Sequence, residues 1–279
     1  MTAGWKKNAA LVLVAWAASL SAFGHEFWIE TSPVAPPVGA PVLMTLRVGE
    51  LFSGELVGIT AAHAASLHML STGQDQDLGP RVPTGSMLPA LRLSFTHSGS
   101  HVLAYESYPS RVVLEAGKFA AYLHDEGLDA IIRQREAAGT ADRPGRERFR
   151  RSAKALLRVG GESDGASLRS ANQRMDITPV EDPLALAAGD TLRFVLRFDG
   201  QPRAGVLVKA WHKQGGQVTT IRTTTDSFGR FEFTLPFTGA WMLSAVHMIP
   251  VTDSADVDWD SFWGSLSFDL QARKPAGKG

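Results

Sequence analysis

The sequence predicts a mainly β protein built from two antiparallel β-sandwiches in tandem, with a short helical insert in the first. Short apolar and β-branched runs alternate with turns rich in Gly, Pro, Ser and Asp over most of the chain. Between 117 and 159 the apolar residues instead recur every three or four positions. A Gly-rich stretch at 160–165 has the composition of a linker and separates two similar halves.

The segment 1–24 has the pattern of a secretion signal. Two lysines precede a short apolar run, and Ala22-Phe23-Gly24 is a small-x-small processing site. The run is shorter than the roughly 18 uncharged residues that a membrane-spanning helix needs. We therefore predict a periplasmic or secreted protein that does not span a membrane after processing and whose mature chain begins at His25.

The composition excludes several classes of function. Because the chain has no cysteine, it cannot form disulfides, thiolate nucleophiles or cysteine metal sites. Its 28 basic and 28 acidic side chains balance, so there is no electrostatic reason to expect nucleic acid as a partner. A metal site must therefore use His, Asp, Glu or Met side chains.

The predicted first domain, 25–165, opens with short strands bounded by turn residues, which is typical of a sandwich. These strands are 42–48, 66–71, 91–95, 101–106 and 111–114.

The helical insert is predicted over 117–159, and glycines at 127 and at 139–145 would divide it into two or three short helices. Its last helix is strongly basic. A basic cluster can bind phosphate, but without interleaved aromatic side chains we interpret this one as a solvated helix face. The cluster consists of Arg143, Arg146, Arg148, Arg150, Arg151, Lys154 and Arg158.

The predicted second domain, 166–279, resembles immunoglobulin-like and transthyretin-like sandwich modules. One strand ends at His212, and the segment 223–233 predicts a hairpin with a turn at Asp-Ser-Phe-Gly. Two spacings in the first half recur in the second: 39–48 is similar to 189–198, and 95–104 to 237–245. Because the two pairs occur in the same order, we predict two related sandwiches.

His25 is the strongest functional lead, because an N-terminal histidine offers its α-amine and a ring nitrogen to one ion. A nitrogen-rich tetragonal site suits Cu(II) or Ni(II). Strand parity places His212 and His247 on apolar, buried faces, where an imidazole needs a hydrogen-bond partner or a metal. We therefore predict one metal site with His25 and His247 as ligands and His212 as a third ligand or an orienting residue.

The remaining histidines are predicted to lie at the surface. His63, His68, His97 and His101 flank turns or lie in a variable-looking stretch, and His124 begins a charged cluster with Asp125 and Glu126 at a helix end. Such a charged cluster is usually solvated.

Several stretches together resemble one family of exported bacterial proteins. They include His-Glu-Phe-Trp at 25–28, Ala-Tyr-Glu-Ser-Tyr-Pro-Ser-Arg at 104–111, Asp-Ser-Phe-Gly-Arg at 226–230, Ser-Ala-Val-His-Met at 244–248 and Trp-Asp-Ser-Phe-Trp at 259–263. The family is known as domain of unknown function 4198 and is sometimes labelled a nickel-uptake periplasmic component. The resemblance implies a protein that binds nickel, cobalt or copper and serves an inner- or outer-membrane metal transporter.

No enzyme motif accompanies these features, so we do not expect catalysis. The sequence has no His-Glu-x-x-His and no phosphate-binding loop before a helix. Two alternatives to metal delivery remain open. A histidine-brace copper monooxygenase also begins with histidine, although such enzymes use one sandwich with a flat aromatic face. A non-catalytic cell-envelope scaffold or adhesion module fits a tandem sandwich equally well.

Overall fold

The computed structural model describes residues 25–161 and 163–272. The predicted secretion signal lies outside the described residues. Within them the chain is mainly β with two short helices, which confirms the predicted fold class.

The first half contains nine strands and both helices. Their bounds are β1 (Glu26–Ser32), β2 (Pro41–Glu50), β3 (Ser53–Val57), β4 (Ala64–Ser71), β5 (Gln74–Asp77), β6 (Leu91–Ser94), β7 (Gly99–Ser107), β8 (Ser110–Leu114), α1 (Ala116–Asp125), α2 (Asp129–Ala137) and β9 (Gly145–Val159). Each of the five short strands predicted in this half is present.

The second half contains eight described strands. Their bounds are β10 (Met175–Pro179), β11 (Thr191–Phe198), β12 (Gln201–Pro202), β13 (Leu207–Gln214), β14 (Gln217–Thr224), β15 (Arg230–Thr234), β16 (Gly239–Pro250) and β17 (Trp259–Leu270).

One large sheet runs through both halves, with the four strands of the second half on one side of its centre and those of the first half on the other. Its strands lie in the order β14-β13-β16-β17-β9-β7-β4-β5, and β8 pairs with the start of β9. The central pair, β9 and β17, is parallel, whereas its neighbours on both sides are antiparallel. The predicted boundary at 160–165 therefore lies between β9 and β10, but the β9–β17 pairing joins the two halves in one sheet.

A small sheet covers each face of the large one. The sheet β1-β2-β3, with β6 beside β2, packs against one face in the first half. The sheet β10-β11-β12, with β15 beside β11, packs against the opposite face in the second half. The strands β2 and β11 hold equivalent places, as do β7 and β16, which agrees with the repeated spacings in the sequence.

The prediction of helix over 145–159 is wrong, because this segment is β9, the central strand of the large sheet. Both faces of the sheet are covered here, so residues 152–157 are all buried and no alternation of period two marks the strand. Apolar residues at 149, 153, 156 and 157 therefore matched a helical period by coincidence. The helical insert is confined to α1 and α2, which pack on the same face as β1.

The hairpin predicted over 223–233 is also corrected. The Asp226–Gly229 turn is present, but β14 pairs with β13 in the large sheet and β15 pairs with β11 in a small one. The turn therefore connects two layers instead of two neighbouring strands. Alternate burial of Phe231 and Phe233 reflects packing between those layers.

Candidate functional site

The imidazole of His25 lies against the carboxylate of Glu50. The distance from His25 Nε2 to Glu50 Oε1 is 2.9 Å. His25 precedes β1 and Glu50 ends β2, and the antiparallel pairing of these strands, with Glu26 opposite Gly49, brings the two side chains together. The Glu50 side chain is 66% exposed and that of His25 is 20% exposed, so solvent reaches the pair.

A cavity of about 470 Å³ opens beside Glu50, and we call it the Glu26 cleft. Three parts of the fold meet there: the β1 and β2 ends, helix α1, and the paired strands β13 and β14. Their lining residues include Glu26, Glu50, Lys118, Tyr122, Asp125, Glu126, Lys209, Trp211 and Arg222. Charged side chains of both signs and two aromatic rings therefore line one cavity.

Two buried carboxylates share one ammonium group at the base of the cleft. Lys209 Nζ donates a hydrogen bond to Glu126 Oε1 at 2.7 Å and lies 3.8 Å from Glu26 Oε1. Burial and, to a smaller extent, the nearby Glu126 carboxylate raise the pKa of Glu26 to about 7, against the opposing effect of Lys209. Burial also raises the pKa of Glu126. The cleft therefore holds an ionisable group that changes charge near neutral pH.

A second buried carboxylate site lies behind His25. Residues His25, Tyr122, Glu147 and Trp263 line a small cavity there. Glu147 accepts hydrogen bonds from the Ser261 hydroxyl and, at 3.4 Å, from the Tyr122 hydroxyl. Burial raises the pKa of Glu147 to about 7 despite these hydrogen bonds.

His247 does not join His25. It is buried, as predicted, and its ring packs edge-on against Phe198, with centroids 4.7 Å apart. Its neighbour across the sheet is Phe262, whose side chain lies on the face covered by β11. His25 lines a cavity with Trp263, which lies on the other face. Because the sheet separates the two imidazoles, the predicted ligand pair is wrong. Burial lowers the pKa of His247 to about 4.

His212 is separate from both. His212 is buried on the same face of the sheet as His247. It lies opposite Trp241 on β16, and the six residues from Trp241 to His247 span about 20 Å along the strand. Its ring stacks on Trp241, and its Nδ1 is 2.9 Å from the carbonyl oxygen of Ala240. The Nε2 atom has no hydrogen-bond partner among the described residues. The structure therefore does not bring His212 to His25, as the predicted site requires.

Two other surface assignments are corrected. His101 is 4% exposed and packs against Phe95, because β7 is covered on both faces. Glu126 is 4% exposed and paired with Lys209, whereas its neighbours His124 and Asp125 are exposed. One signal for this pair was present in the sequence: Lys209 interrupts the otherwise apolar strand of residues 206–211.

The described part of the chain contains no group of three or more His, Asp or Glu side chains arranged to hold a metal ion. Neither α1 nor α2, nor any other described helix, is long and apolar enough to cross a membrane.

Comparison with solved structures returns distant similarities. The D0-D1 domain of intimin is 12% identical, with 88% of this chain and 98% of that chain covered and a TM-score of 0.21. A tetra-tandem repeat from a large adhesion protein is 12% identical, with 89% and 50% covered and a TM-score of 0.22. Fibronectin(III)-like modules of Clostridium thermocellum CbhA are 10% identical, with 91% and 100% covered and a TM-score of 0.18.

No curated protein matches the sequence. A family model does match, and it extends over residues 22–249, from the predicted processing site through His25 and the Glu26 cleft to His247. The chain therefore belongs to the family described as domain of unknown function DUF4198.

Proposed function

We propose that this chain is an exported protein that binds one divalent transition-metal ion, nickel, cobalt or copper, at His25 and supplies it to a metal-uptake transporter of the membrane. The observation that supports this proposal is the His25–Glu50 pair, with 2.9 Å between Nε2 and Oε1, at the solvent-exposed edge of the Glu26 cleft. The carboxylate fixes the imidazole through Nε2 and leaves Nδ1 for an ion.

The donor set includes the α-amine that cleavage after Gly24 would create. That amine and the ring nitrogen nearer the backbone, Nδ1, form a chelate on one residue, and Glu50, at the other ring nitrogen, accepts the Nε2 proton and orients the ring. The two nitrogens of the chelate suit Cu(II) or Ni(II), which favour tetragonal sites of nitrogen and oxygen ligands. The remaining positions would be open to water or to the next carrier, which suits a protein that must release its cargo.

This site differs from a histidine brace, because the partner of His25 is the carboxylate of Glu50. A brace requires a second imidazole beside the terminal histidine. The proposed site has one imidazole, so the observation favours binding and delivery over copper-dependent oxidation.

The test is titration calorimetry with Ni(II) and Cu(II) on the secreted protein, after intact mass has confirmed that the chain begins at His25. An alanine inserted before His25 moves the amine away from the ring and should weaken binding by roughly tenfold or more, as should Glu50→Gln to a smaller degree. His247→Ala should leave affinity unchanged.

A second imidazole–carboxylate pair provides a matched control. His68 Nδ1 lies 2.8 Å from Asp75 Oδ1 at the surface, without a terminal amine nearby. We expect His68→Ala to leave affinity unchanged. If the inserted alanine has no effect, or if His68→Ala weakens binding equally, the proposed site is wrong and the cell-envelope scaffold becomes the better interpretation.

A further inference from the structure

A second cavity, separate from the Glu26 cleft, lies between α2, the turn that follows it and the starts of β9 and β17. Its volume is about 590 Å³, and we call it the arginine cavity. It shares no lining residue with the Glu26 cleft. Three guanidinium groups line it, those of Arg135, Arg143 and Arg146, together with the single carboxylate of Asp258. The lining therefore has an excess of positive charge.

Arg135 is buried and forms no salt bridge with any described residue, although the carboxylates of Asp142 and Asp258 lie near enough to favour its charged form. It is 5% exposed, and its Nη2 donates to the carbonyl oxygens of Ala141 and Arg143 at 3.3 and 2.6 Å. Its guanidinium also packs over the Phe119 ring, 4.8 Å from the centroid. No carboxylate of the described chain lies within 4.0 Å of it. A buried charge is costly unless it is paired, so an anion in the cavity would stabilise this group.

Of the two other arginines, one forms a salt bridge and the other does not. Arg146 is held by Asp258, with Nε 3.0 Å from Oδ2 and Nη2 2.5 Å from Oδ1. Arg143 is exposed and forms no ion pair within the described residues. With Asp142 and Asp258 both counted, the three arginines exceed the nearby carboxylates by one positive charge, which remains for a ligand.

Trp259 also lines the cavity, and it carries a buried, unused hydrogen-bond donor. It is 8% exposed, and its indole N–H has no acceptor among the described residues. Val113 and Pro144 add apolar surface beside it. A ligand with an acidic group and a small carbon body would satisfy both kinds of surface.

We propose that the arginine cavity binds a small organic anion that bears a carboxylate or phosphate group. Guanidinium groups match the geometry of both oxyanions, and the volume lies within the range of small-molecule sites. The basic cluster of 143–158 thus has two parts, because Arg143 and Arg146 line this cavity whereas Arg148 is paired with Asp260.

The test follows the indole N–H resonances of the full mature chain labelled with ¹⁵N-tryptophan. The Trp259 signal is assigned by its loss in Trp259→Phe. Citrate, glycerol 3-phosphate, inorganic phosphate and sodium chloride are titrated separately at matched ionic strength. We expect the Trp259 signal to shift saturably with citrate if a carboxylate is recognised, or with glycerol 3-phosphate if a phosphate group is.

Arg143→Gln is the preferred variant, because Arg143 is exposed and its loss should not impair folding. It should weaken the binding by roughly tenfold, the loss expected for one charge-assisted contact. Arg133→Gln, on the exposed side of α2 and outside the lining, should leave it unchanged. Equal shifts with all four salts would indicate an adventitious ion only and overturn the proposal. A Trp259 signal that no anion moves, or equal weakening by the two variants, would also overturn it.

Discussion

Glu147 should make the folded protein lose stability as the pH rises toward neutrality. It is 3% exposed beneath His25, and burial raises its pKa from an ordinary 4.5 to about 7. The folded state therefore keeps a proton that the unfolded chain releases between those two pH values. The contribution of Glu147 to stability is therefore fully present below pH 4.5 and is lost as the pH rises to about 7.

The size of this effect follows from the pKa values. Each pH unit within the window costs about 1.4 kcal/mol, so Glu147 should lower the free energy of unfolding by about 3 kcal/mol between pH 4.5 and 8. Glu147→Gln has no charge to lose and should not show this part of the pH dependence. Any constant cost of fitting the Gln amide cancels when one variant is compared with itself at two pH values.

The assay is urea denaturation of metal-free protein at a series of pH values. The free energy of unfolding of Glu147→Gln, relative to that of the wild type, should rise by about 3 kcal/mol between pH 4.5 and 8. Glu232→Gln, on the exposed side of β15, is the control for removing one surface charge. If the difference between wild type and Glu147→Gln stays constant across the range, Glu147 is not the buried acid that we describe.

Three further predictions concern the sheets and helices. Lys154→Met should destabilise the fold by about 3 to 5 kcal/mol in urea denaturation, because it leaves the fully buried Asp176 carboxylate without its ammonium partner; a change below 1 kcal/mol would contradict this. On acidification from pH 7 to 4.5, His247→Phe should lose about 2 kcal/mol less stability than the wild type. The reason is that the buried imidazole has a pKa of about 4, so the unfolded chain takes up the proton first; an unchanged acid profile would refute it. Gly145→Ala should cost about 1 to 3 kcal/mol, because a Cβ there would overlap the Phe119 ring, whereas Gly117→Ala meets no atom within 4 Å and should be tolerated; equal melting temperatures for the two variants would count against this packing.

The sequence was informative where one face of a strand is covered. In the second half, the strand parity of His212 and His247 correctly placed both on the buried face of the large sheet. The sequence was misleading for β9, because a strand buried on both faces has no alternation to detect. Its central place depends on parallel pairing with β17, more than one hundred residues away, and no local pattern records that pairing.

The site was predicted in part. His25 was identified from the processing pattern, but its partner Glu50 depends on the register between β1 and β2, which the sequence leaves open. The histidine pair failed for a related reason. Parity assigns a residue to one of the two faces of its own strand. It does not tell whether a small sheet or the helices cover that face. His25 and His247 consequently lie on opposite sides of the same strands.

The most direct test of metal binding at His25 is electron paramagnetic resonance of the Cu(II)-loaded secreted protein, recorded with pulsed methods that count coordinated imidazoles. We expect one coordinated imidazole. The spectrum should change when an alanine is inserted before His25 and stay the same in His212→Ala and His247→Ala. Two or more imidazoles, or a spectrum that the inserted alanine leaves unchanged, would contradict it.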